Sequence, residues 1–138
     1  MATVEAALKD GDATAVPTAV DHVKQIGNTA GLASLLLQGL SNDKVDVRET
    51  CSQQLVNMAP DNQEVDDALM ETGLKDQDSV VGKHAAEALG RIGPAAKVAV
   101  PALDQLQRNP VQEDDVRKAA SLALEQINKE LESPADVQ

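Results

Sequence analysis

The side chains of this chain best suited to chemistry are two histidines, one cysteine and a surplus of carboxylates. A zinc or iron site needs several N, S or O donors converging at fixed spacings. His22 precedes Val23 and His84 precedes Ala85, and neither belongs to a cluster of donors. No metal or other cofactor is therefore expected. Cys51 is the sole cysteine, which excludes a disulfide within the chain. It stands four residues after Val47 and four before Leu55, on the apolar side of a helical pattern. There a thiol behaves as a small hydrophobe, and burial makes it unreactive. Seven acids (Asp61, Glu64, Asp66, Asp67, Glu71, Asp76, Asp78) fall between 61 and 78 with Lys75 as the one cation. They read as a solvated acidic corner that could also attract a basic partner. Glu113–Asp115 opens a helical segment, where negative charge is favourable in any case. The sequence has no phosphate loop, nucleophile elbow or glycine-rich dinucleotide turn. The expectation is a protein that is not an enzyme.

These residues sit on a helical phrase that recurs roughly every 34 residues. Its clearest copies are DSVVGKHAAEALGRIG (78–93) and DVRKAASLALEQI (115–127); 43–58 and 12–27 are weaker. One position of the phrase holds Ile26, Met58, Ile92 and Ile127, and three residues earlier stand Val23, Leu55, Leu89 and Leu124. Four before those come Ala19, Cys51, Ala85 and Ala120, and four more bring Ala15, Val47, Val81 and Val116. This spacing lays one apolar stripe along an α-helix. A shorter helical segment ending at Leu8, Leu40, Leu74 or Leu106 precedes each copy. First helices are predicted at about 2–9, 30–40, 63–74 and 97–108, and second helices at 13–26, 44–58, 79–92 and 113–131. Asp12, Asp43, Asp78 and Asp115 stand near the second-helix starts, where a carboxylate can cap free backbone N–H groups. The chain is read as one domain over 1–132, with repeats at about 1–27, 30–59, 63–93 and 97–131 and a frayed tail at 133–138.

Composition agrees with thin, stacked helices. The apolar fraction is 42%, yet there is no Phe, Tyr or Trp, so small aliphatic groups must fill the core. A net charge of −11 disfavours nucleic acid, whose phosphates need clustered Lys and Arg, and likewise an anionic membrane surface. No apolar run approaches the ~18 residues of a membrane span. Met1–Gly11 lacks the apolar stretch of a signal peptide, which points to the cytoplasm. Val4, Ala7 and Leu8 offer a small apolar end through which the chain could self-associate.

The segments DSVVGKHAAEALGRIGPAAKVAVPAL (78–103) and DVRKAASLAL (115–124), with the pairs Val47–Arg48 and Val116–Arg117, resemble HEAT repeats. The bilin-lyase-like (PBS-lyase) subclass is the nearest likeness. The resemblance implies an all-α, right-handed α-solenoid of about four HEAT-like helical hairpins. It also implies a ladder of Arg–Asp contacts between repeats, for which Arg48 and Arg117 fit while Val16 and Gly82 replace Arg in the other copies. In such a stack the second helices line the concave side, and solenoids hold partners on extended surfaces of this kind. Opposite the apolar stripe lie Asp21, Lys24 and Gln25; Glu49, Ser52 and Gln53; Lys83, Glu87 and Arg91; and Lys118, Ser121 and Glu125. Lys24, Glu49, Gln53, Lys83, Glu87, Arg91, Lys118 and Glu125 are the candidate partner-binding residues, with Arg91 as the anchor. The bland alternative is a solvated face with pairs such as Lys83–Glu87 and Glu87–Arg91. A non-catalytic protein-binding scaffold or adaptor is the leading reading. The resemblance leaves open a bilin-handling protein, and the apolar end leaves open a spacer or oligomerisation module.

Overall fold

In a computed structural model the described residues are 2–27, 29–58 and 63–136, with side chains described over 4–27, 31–58 and 63–129. They form α1 (Ala2–Asp10), a 3-10 turn (Ala13–Ala15) leading into α2 (Val16–Gln25), α3 (Thr29–Gly39) and α4 (Val45–Met58). There follow α5 (Gln63–Ala68) with a π-turn (Leu69–Gly73), α6 (Ser79–Ile92), a 3-10 stretch (Gly93–Ala99), α7 (Val100–Arg108) and α8 (Asp114–Asp136). No strand occurs among the described residues. α8 thus includes part of the segment read from sequence as a tail, while Val137 and Gln138 lie outside the described residues.

The helices stack in two layers. α2 packs on α4, α4 on α6 and α6 on α8; on the other side α1 packs on α3 and α3 on α5. Each first helix also packs on its own second helix, as in α1 on α2, α3 on α4 and α7 on α8. This is an all-α solenoid, and its seam is the stripe read from the sequence. Ala19, Cys51, Ala85 and Ala120 are all buried, as are Val23, Leu55, Leu89 and Leu124. Leu8, Leu40, Leu74 and Leu106 close the first helices from the other side. Small residues set the spacing between layers. A Cβ on Gly39 would lie 2.2 Å from Cys51 Sγ, and one on Gly73 would lie 2.7 Å from Ala85 Cβ. No ordinary side chain fits at either position without the helices separating.

Ile26 departs from the pattern: it follows the last residue of α2 and is 64% exposed, because the helix ends before it can turn inward. Val4, Ala7 and Leu8 are buried in the core against the elements that follow, so the apolar end read from sequence is already covered within the chain. The π-turn at 69–73 was also not read from sequence. It widens the end of the third first helix by one residue while keeping Leu69 and Leu74 inside.

The loops between first and second helices repeat one device. Asp12, Asn42, Asp76 and Asn109 each accept, at Oδ1, a hydrogen bond from the backbone N–H two residues on (3.2, 2.9, 2.8 and 3.0 Å). A short carboxylate or amide bonding its own backbone in this way fixes a turn. Asp12 and Asp78 do cap their helices, Asp78 through the Val81 N–H at 3.2 Å. Asp43 and Asp115 do not. Asn42 supplies the turn before α4, and α8 already includes Asp115 in its first turn beside Asp114.

Candidate partner-binding face

The exposed side of the second helices is built by the same periodicity that buries their stripe. On α6, seven of fourteen residues are buried between α4 and α8, which turns Val80, Lys83, Glu87 and Arg91 outward. On α4 the outward residues are Asp46, Glu49, Gln53 and Asn57, and on α8 they are Lys118, Ser121, Leu122, Glu125 and Gln126. Lys24 is exposed on α2. The structure therefore places all eight candidate residues on accessible parts of the second helices, with Glu49, Lys83 and Glu87 half-buried.

Ser52 does not join them. It is fully buried, and its hydroxyl donates to the Glu49 carbonyl at 2.8 Å. His84 Nδ1 lies 2.9 Å from Ser52 Oγ. The serine oxygen and the ring nitrogen are therefore within hydrogen-bond reach across the α4–α6 contact. Ser52 and His84 thus pin α4 to α6. Burial pushes the His84 pKa down, against a smaller upward pull from the Glu87 carboxylate. Glu49 is raised, first by a hydrogen bond shared with the Asp78 carboxyl, then by burial and by the charge of Asp78. Cys51 is buried as expected, and burial pushes its thiol up to about 12.

The charged residues further along this face are uncommitted. None of Lys83, Glu87, Arg91, Lys118 and Glu125 forms an ion pair with a described residue. The helical pairs Lys83–Glu87 and Glu87–Arg91 that would satisfy them locally are not made. Beside Arg91 the face dips into a recess of about 340 Å³ lined by Val56, Glu87, Arg91, Ala119, Leu122 and Gln126. Its walls come from α4, α6 and α8, so it exists only because three repeats are stacked. Val56 and Leu122 were missed from sequence. Each lies off the apolar stripe, and a large aliphatic residue among polar neighbours, as Leu122 is between Ser121 and Glu125, was the available signal. Leu122 is 59% exposed.

The acidic corner is less available than its composition implied. Asp76 is paired with Arg48 at 2.9 Å, Asp78 caps α6, and Asp66 is buried; Asp61 lies outside the described residues. Glu64 and Glu71 remain exposed. Three of the seven acids therefore serve the fold rather than a partner.

Arg48 shows how neighbouring repeats are joined. Its Nε reaches Asp76 in the next loop, while its Nη1 donates to the carbonyls of Asn42 and Asp43 at 2.9 and 3.2 Å. Asn42 Nδ2 donates to the Leu8 carbonyl at 3.1 Å, making the corresponding link to the first repeat. Arg117 instead pairs with Asp114 inside its own helix. At the third position Gly82 has no side chain to extend, so the ladder stops there. A sequence model of HEAT repeats matches residues 32–125. The chain belongs to the HEAT-repeat family. The match runs from within α3 into the first half of α8 and includes every residue lining the recess except Gln126. HEAT repeats are commonly protein-interaction scaffolds, since a stack of helix pairs presents one continuous surface. A search of curated proteins finds no match. No helix among the described residues is long and apolar enough to cross a membrane.

Proposed function

We propose that this HEAT-repeat protein is a non-catalytic scaffold or adaptor, in the cytoplasm, that holds a protein partner on the exposed face of α2, α4, α6 and α8. One observation carries the reading: Lys83, Glu87 and Arg91 make no ion pairs with described residues, and Glu87 and Arg91 border a recess with aliphatic walls that spans three helices. The partner is expected to meet a polar rim around a small apolar centre, with Arg91 as the residue type most suited to an interface anchor. The lack of aromatic side chains points to modest affinity.

The test is affinity capture by the whole chain, comparing the parent with a variant carrying Lys83→Ala, Glu87→Ala and Arg91→Ala together. Loss of the captured protein, with thermal stability held within a few degrees, supports the face. Retention by the triple variant refutes it. The bilin-lyase-like subclass and a chromophore-handling role rest on the likeness of 78–103 and 115–124, with the pairs Val47–Arg48 and Val116–Arg117, and on nothing else. A visible absorbance change on mixing with a bilin would favour them instead.

A further inference from the structure

The recess carries a more specific chemistry than a general docking face. A volume of about 340 Å³ is at the small end of ligand-sized cavities. It accommodates a residue or two, not a length of helix. Three kinds of group converge on it: aliphatic walls from Val56, Ala119 and Leu122, a cation from Arg91, and polar groups from Glu87 and Gln126. The guanidinium offers a planar fork of donors matched to a carboxylate. The Glu87 carboxylate can only accept, whereas the Gln126 amide can do either.

We propose that this recess captures the C-terminal residue of a partner chain, an aliphatic side chain beside its free carboxylate. Such a residue complements all three features at once. Its carboxylate takes the Arg91 fork, its amide N–H donates to Glu87, and its side chain covers Val56, Ala119 and Leu122. An internal aspartate or glutamate spends its own side chain on the carboxylate, so the aliphatic part must come from another residue. A basic segment would meet Glu87 but leave Arg91 opposed by like charge. Close packing of α6 on α8 supports the arrangement. A Cβ on Gly90 would lie 2.2 Å from Gln126 Oε1, so the amide of Gln126 is folded against α6 next to Arg91.

This inference rests on the binding-face reading, and the two can fail separately. The probe is acetyl-Ser-Gly-Ala-Leu with a free carboxylate, titrated into the ¹⁵N-labelled full chain at physiological salt. Two comparison peptides are the same sequence as its C-terminal amide and acetyl-Ser-Glu-Ala-Leu amide, whose carboxylate is internal. The free acid is expected to shift the amide signals of Arg91, Leu122 and Gln126 and to bind at least about tenfold more tightly than either amide, the worth of a charge-assisted contact. Arg91→Gln should reduce the free acid to the level of its amide, whereas Leu122→Ser should weaken acid and amide together. Equal binding of acid and amide at these residues overturns end-capture and leaves the face standing. Shifts confined to the first helices overturn both. An absence of shifts with every peptide overturns end-capture, and the triple-variant capture then judges the face alone.

Discussion

Two glycines on one helix separate the contribution of close packing from that of helix propensity. Gly82 and Gly90 both lie within α6, so replacing either by alanine gains the same intrinsic propensity, about 0.8–1.0 kcal/mol. Their surroundings differ. A Cβ at Gly82 would meet only Val116 Cγ1, at 3.8 Å, an ordinary contact. At Gly90 it would lie 2.9 Å from Ala123 Cα and 3.1 Å from Ala123 Cβ, besides Gln126 Oε1. The glutamine can swing away, but the α8 backbone cannot. Overpacking of this kind costs about 1–3 kcal/mol. Gly82→Ala should therefore stabilise by about 1 kcal/mol, and Gly90→Ala should be neutral to about 2 kcal/mol destabilising after its propensity gain is subtracted. For a chain of this size each kcal/mol moves the melting temperature by roughly 3–5 °C. Urea denaturation followed by circular dichroism at the helical band reads both variants against the parent. Equal stabilisation by the two would mean that α6 and α8 do not approach at Ala123, and the packing described here would be wrong.

Other expectations follow from single contacts. Asp76→Asn should cost about 1.5–3 kcal/mol, since it removes the charge from a mostly buried bond to Arg48, and a double-mutant cycle with Arg48→Ala should recover part of that loss; strict additivity would mean the pair is not coupled. Glu49→Gln should be neutral or slightly stabilising at pH 7, because an amide can keep the hydrogen bond to Asp78 that chiefly raises the Glu49 pKa, while the burial of a charge and the repulsion from Asp78 and Asp46 are relieved; clear destabilisation would contradict those causes. His84 holds its proton less tightly folded than unfolded, so its contribution is present above the ordinary value of 6.5 and is lost as pH falls below it. His84→Gln should flatten the melting temperature between pH 7.5 and 5.5, and an unchanged slope would assign it to other groups. Cys51, with its thiol near 12, should resist a thiol reagent at pH 7.5 until the protein is unfolded; rapid labelling of the native chain would refute its burial.

The seam was legible because burial has to repeat wherever helices stack. Once Ala19, Cys51, Ala85 and Ala120 fall into one register, the layer they bury follows, and α6 begins and ends where its Asp78 and Gly93 punctuate the sequence. Gly93 closes α6 in a backbone conformation, φ 81°, that other residues avoid. What periodicity could not supply was anything set by the other layer. Ser52 has the spacing of an outward residue, yet α6 brings His84 over it and it is sealed in. Asn42 and Asp43 are adjacent polar residues before a helix, and only the backbone trace decides which one makes the turn. Arg48 and Asp76 lie in different repeats, so their pairing depends on how far one hairpin is displaced along the next. The candidate site was half legible for the same reason. Lys83, Glu87 and Arg91 follow from one helix, whereas Val56 and Leu122 become neighbours of Arg91 only through α4 and α8.

Hydrogen exchange of the chain alone and with its captured partner tests the binding face most directly. Protection should appear on α4, α6 and α8, greatest around Arg91 and Leu122, while α1, α3 and α5 exchange as before. Protection on those first helices, with none on α6, would contradict the account.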